Sequence, residues 1–169
     1  SGDPSRTLPF VSGNSSSYYT QQNRGKRSVG IDLSADRGCD LVRDMAARCD
    51  VIVENFGPGV LERRGLSWER LTSINSGIIM ASISAFGKTG PLSHLQGFDL
   101  MGQALSGMMH VTGDSDGPPQ FTGSPIADCA AGLTLFGAIG HALFHRERTG
   151  EGQYVEVTLV DPLFAMHSI

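Results

Sequence analysis

The sequence lacks the marks of several protein classes. Its three cysteines, Cys39, Cys49 and Cys129, are odd in number and have no CxxC spacing. That argues against a disulfide scaffold and against a zinc ribbon, and a reducing cytoplasm fits best. Charged residues make up only 18% of the chain and the formal net charge is -4. This is neither the basic excess needed to neutralise nucleic-acid phosphates nor the acidic excess of a disordered chain, so no nucleic-acid partner is expected. Residues 1–10 hold no apolar run behind a basic start, and no signal peptide is visible. His141 and His145 lie four apart on one predicted helix but have no third ligand at suitable spacing, so no metal site is expected. No GxGxxG fingerprint, P-loop or internal repeat is present.

One long apolar run is there, from Ile126 to Phe144, near the length that spans a bilayer. Asp128 and His141 sit inside it and Ala and Gly dominate it. A charge in hydrocarbon costs at least ~2.5 kcal/mol, so a buried central helix is expected and no membrane partner. A chain of 169 residues is long enough for one compact domain.

Residues 1–27 are rich in Ser, Gly, Asn and Gln without apolar period and are expected to form an extended surface segment. Residues 28–159 are expected to form an α/β core. Ser28 to Leu33 alternates as a strand, Asp36 to Arg48 has helical spacing, and Asp50 to Val53 is a brief apolar strand. Short helices over Val60–Arg64 and Trp68–Ser73 lead to a strong strand over Ile78–Ile83, then a Met-rich helix over Phe98–Met109. Met101, Met108 and Met109 are expected to fill the core, and Trp68 to pack. Ser124 and Pro125 are placed as N-cap and first helical residue of a long helix to Arg148. Residues 149–152 stop it, Gln153–Leu159 forms a last strand, and Asp161-Pro162 opens a helix over 160–169. Strands alternating with helices predict an α/β fold: an open, mainly parallel, Rossmann-like sheet with helices on both faces.

Asp128 stands in the first turn of the long helix between Ala127, Cys129 and Ala130. Two readings stay open: an acid that complements the helix dipole, or a carboxylate with little steric cover that a substrate carbonyl can approach as a nucleophile. The segment Asn55-Phe56-Gly57-Pro58-Gly59 follows a strand and precedes a helix, the place where open parallel sheets bind ligands. It is either an ordinary turn or a loop whose glycines admit close backbone approach to an anion. Arg63 and Arg64 follow one turn later, within reach of a phosphate or simply on the surface.

Several segments in register resemble the class III CoA-transferases, the superfamily of formyl-CoA transferase, carnitine CoA-transferase and α-methylacyl-CoA racemase. They are residues 23–28, 50–59, 87–91, 97–99, Asp128 with its small neighbours, and 149–153. The resemblance implies coenzyme A or an acyl-CoA as substrate, with no metal, and a small carboxylic acid as acceptor. It places Asp128 as the catalytic aspartate that forms a mixed anhydride, and Asn55, Phe56, Arg63, Ile31 and Asp32 among the CoA contacts. It also implies a homodimer or oligomer. Racemases of the superfamily carry a histidine where Phe98 stands, and phenylalanine moves no proton, so transfer is favoured over racemisation. Relative to the family's large domain the sheet is expected to be incomplete. Three readings of the chain stay open: a partial CoA-transferase that keeps its chemistry, one inactive alone, and a non-catalytic CoA-binding or assembly remnant.

Overall fold

The computed structural model describes residues 3–7, 11–12 and 15–167. The backbone divides into two compact units, Ser1–Ile31 and Asp32–Ile169, where one domain with an extended leading segment was expected. The first unit is not extended throughout. It holds a 3-10 turn at Pro4–Thr7 and a short antiparallel pair, β1 (Val11–Ser12) and β2 (Ser15–Ser16). Helix α1 (Ser17–Asn23) follows, because Ser16 supplies what composition hides: its hydroxyl accepts the Tyr19 N–H at 3.2 Å. Arg6 lies 3.9 Å over the Tyr19 ring.

The second unit contains α2 (Asp36–Ala46), β3 (Val51–Glu54), α3 (Val60–Arg63), α4 (Trp68–Ile74), β4 (Ile79–Ser84), α5 (Asp99–Leu105), α6 (Ile126–Thr149), β5 (Tyr154–Thr158) and α7 (Asp161–Met166). Strands β3, β4 and β5 form a parallel sheet in that order, with Val51 opposite Ile79 and Met80 opposite Tyr154. The strand expected over residues 28–33 is absent. A lone alternating segment becomes a strand only when a neighbour takes its backbone hydrogen bonds, and none is provided there.

Alternation along β4 sorts the core onto two faces. Met80 joins Ala46, Leu61, Leu66, Leu71 and Ile78 on one face; Ala81 joins Ala127, Ala131, Leu135, Val157 and Leu163 on the other. Helices therefore cover both faces of the sheet. Trp68 packs as expected, its ring centroid 6.2 Å from that of Tyr154. Helix α4 starts at Ser67, whose hydroxyl accepts the Arg70 N–H at 3.3 Å. Ser67→Ala is expected to cost about 1 kcal/mol, measured as a shift of the urea midpoint at constant slope.

Three further expectations need correction here. Helix α5 ends at Leu105, short of Met109, and Gly107 just beyond it has φ of 85°. Met101 is exposed, while Met108 packs partly against the core. Helix α6 is not buried all round. Its small residues Ala127, Ala130, Ala131 and Ala142 face inward, whereas Leu133, Phe136 and Phe144 are exposed. By length and composition α6 could cross a membrane; in this fold it covers β4 and β5.

Candidate functional site

The site forms where the C-terminal ends of β3 and β4 meet the head of α6. Glu54 ends β3 at 8% exposure and is used locally: one carboxylate oxygen accepts the Phe56 N–H at 2.8 Å and the other accepts the Ser82 hydroxyl. The next residue, Asn55, donates its amide to the Ile83 carbonyl at 2.7 Å. These bonds tie the turn after β3 to the neighbouring strand, and Gly59, at φ of 70°, completes the turn into α3. The Asn55 side chain thereby spends one of its two N–H donors on the fold, and its carbonyl oxygen accepts no hydrogen bond from the described residues.

A cleft of about 480 Å³ opens between this turn and α6, lined by Asn55, Phe56, Ser84, Gly97, Phe98 and Asp128 among others. A smaller cavity of about 200 Å³ shares Phe56, Gly57, Pro58 and Ser84 with it and is walled by Glu54, Glu62 and Lys88. Lys88 and Glu62 pair at 3.1 Å. Residues far apart in sequence, Asn55, Phe56 and Asp128, thus share one cleft.

Asp128 is an exposed residue, and its carboxylate accepts no hydrogen bond from the described residues. Partial withdrawal of water from the carboxyl, and then the charge of Asp99, hold its pKa above the ordinary carboxylate value. The expected Ser124 cap is not made. Pro125 occupies the N-cap position without a side-chain bond. Instead, one oxygen of Asp99, the first residue of α5, accepts the N–H groups of Ala127 at 2.7 Å and Asp128 at 3.2 Å. Asp99 thus caps α6 from another helix.

The remaining expected residues lie elsewhere. Arg63 ends α3 and donates to the Pro58 carbonyl at 3.4 Å, and it does not line the cleft. Asp32 is exposed; its carboxylate accepts the Ser34 N–H at 2.8 Å and hydroxyl at 2.6 Å, which lowers its pKa. Ile31 is half-buried and closes the first unit. His141 meets the Gly137 carbonyl of its own helix at 2.9 Å. Among the described residues no three His, Cys, Asp or Glu side chains gather as a metal site. Sequence reasoning missed Glu54 and Gln103. The only signal was a lone polar residue at the end of an apolar strand or inside a Met-rich helix.

An aspartate at the head of a helix, across a cleft from a glycine-rich turn at the end of a parallel sheet, stands where open parallel sheets bind ligands. The sequence profile of CoA-transferase family III matches residues 1–169, and the chain belongs to that family. It is 42% identical over 161 residues to mouse (Mus musculus) succinyl-CoA:glutarate CoA-transferase, covering 94% of this chain and 37% of that protein. It is also 42% identical over 166 residues to acetyl-CoA:oxalate CoA-transferase of Acetobacter aceti, covering 97% and 42%. The crystal structure of a CAIB/BAIF family protein from Brucella suis superposes with a TM-score of 0.93 at 40% identity, over 99% of this chain and 46% of that one. The chain spans less than half the length of these relatives.

Proposed function

We propose that this protein is a CoA-transferase that moves CoA from an acyl-CoA thioester to a small carboxylic acid through an anhydride on Asp128. The supporting observation is that the Asp128 carboxylate, free of hydrogen bonds from the described residues, lines the same cleft as Asn55 and Phe56. A carboxylate oxygen attacks the thioester carbonyl, the carbon–sulfur bond breaks and CoA leaves as thiolate. The acyl group then sits in an anhydride that stays activated. An acceptor carboxylate attacks the aspartyl carbonyl and displaces the donor acid, and thiolate attack on the new acyl carbonyl releases acceptor acyl-CoA and restores Asp128. The turn at 55–59, with Arg63 behind it, is the proposed seat of the CoA moiety, and Ile31 and Asp32 are proposed as further contacts. Phe98, 83% exposed on the cleft wall, cannot exchange a proton, which favours transfer over racemisation. The apolar side chains Leu133, Phe136 and Phe144 exposed along α6 support a covered, oligomeric state in the working enzyme.

Incubation with short acyl-CoA thioesters, trapping with hydroxylamine and mass spectrometry test the reading. A hydroxamate mapping to Asp128 is the expected result. CoA binding without any adduct would instead make this chain a binding module.

A further inference from the structure

We propose that Asp99 is the positioning residue of the Asp128 nucleophile: it takes the two helix-end N–H donors that would otherwise quench the Asp128 carboxylate, and faces it with a like charge. The inference rests on the reading of Asp128 as nucleophile. A carboxylate in the first turn of a helix is ordinarily stabilised by the unpaired N–H groups there, which makes it a weaker base and a weaker nucleophile. In α6 those donors are already spent. Ile126 N–H goes to the Ser124 carbonyl at 2.8 Å, and the N–H groups of Ala127 and Asp128 go to one oxygen of Asp99.

Asp99 is itself held. Gln103, one turn along α5 and 0% exposed, donates its amide to the second Asp99 oxygen at 2.5 Å and to the Ser124 carbonyl at 3.1 Å. Its own carbonyl accepts the Thr122 N–H at 3.0 Å. A fully buried amide with its donor and acceptor both used fixes the Asp99 rotamer and the chain entering α6 together. Gly102 lets the two helices close to this distance, because a Cβ there would stand 2.7 Å from the Ala127 Cβ. The arrangement divides the work: Asp99 satisfies the helix end and Asp128 stays unbonded beside it. Among the described residues Asp99 is the charged group whose field, after partial desolvation, raises the Asp128 pKa.

The test follows the Asp128 carboxyl by carbon-13 NMR titration, and the rate of hydroxylamine trapping, in the native chain, Asp99→Asn and Asp99→Ala. Asparagine keeps an oxygen for both N–H groups and removes the charge, while its Nδ2 replaces the oxygen that accepts from Gln103; in the folded variant the Asp128 midpoint falls and trapping slows about two- to fivefold. Alanine frees the donors as well, so both effects grow. A native midpoint in a folded Asp99→Asn chain, or a lowered midpoint with an unchanged trapping rate, overturns the inference. If trapping persists in Asp128→Ala, it is the nucleophile reading that fails. The titration needs no chemistry, so a native midpoint in both variants overturns the inference even where the isolated chain forms no adduct; absence of the adduct itself counts against the nucleophile reading.

Discussion

Asp128→Ala is expected to reduce the hydroxylamine-sensitive adduct to background while leaving the protein at least as stable as native at neutral pH. The two halves of this result separate the rival readings of the residue. If Asp128 merely complemented the helix dipole, its loss would cost stability, typically about 0.3–1 kcal/mol for an acid at a helix start. Here the helix-end donors belong to Asp99. The Asp128 pKa is raised above its ordinary value of 3.8 by desolvation and by Asp99. The folded chain therefore holds the proton more tightly than the unfolded chain does. Its contribution to stability is present below the unfolded pKa and is lost as pH rises through the folded pKa. At neutral pH the ionised side chain opposes folding slightly, so its removal gives a small gain, one that disappears in acid. Urea midpoints at neutral and acid pH, measured beside the trapping assay, check the sign. A clear loss of stability at neutral pH would return Asp128 to the dipole role.

Gly152→Ala is expected to destabilise the fold by roughly 3 kcal/mol or more, at or beyond the upper end of overpacking costs. An added Cβ would stand 1.9 Å from the Ile78 carbonyl oxygen and 2.7 Å from the carbonyl carbons of Gly77 and Ile78. These are backbone atoms that no rotamer change can move aside. The contact lies where the chain enters β4: the Gly152 N–H bonds to the Ser76 carbonyl at 2.8 Å, and the Met80 N–H to the Gln153 carbonyl at 3.0 Å. Ile78 is buried, so the strain passes into the core. Gly140, on α6 with open space around its Cβ position, is the control. Gly140→Ala is expected to stabilise by up to about 1 kcal/mol through helix propensity. Denaturant midpoints of both variants test the contrast. A Gly152→Ala protein as stable as native would mean that the turn after α6 can move away from β4.

The two glycines after α6 illustrate how much of this protein is legible in its sequence. Gly150 terminates the helix at φ of 79°, a role that local chemistry announces. Gly152 is needed because another strand passes against it, and no local pattern reports that. The same division holds across the chain. Helices α2, α4 and α6 and strands β3, β4 and β5 follow from apolar period and turn residues, because those signals act between near neighbours. The strand expected at residues 28–33 fails because alternation supplies a face but not a pairing partner. The helix start at Ser124 fails for a related reason: a side chain from α5 reaches the free N–H groups, and the local cap is not made.

The sequence by itself determined the order of elements from α2 to α7, the family, and the presence of an aspartate with small neighbours at the head of a long helix. Tertiary structure alone decided that Asp128 shares a cleft with Asn55 and Phe56, that Arg63 stands outside its lining, and that Asp99 and Gln103 hold the helix head. Motif spacing records distance along the chain. A nucleophile's surroundings depend on which distant backbone and carboxyl groups packing brings within hydrogen-bonding range, and that is settled only when the sheet and helices close on one another.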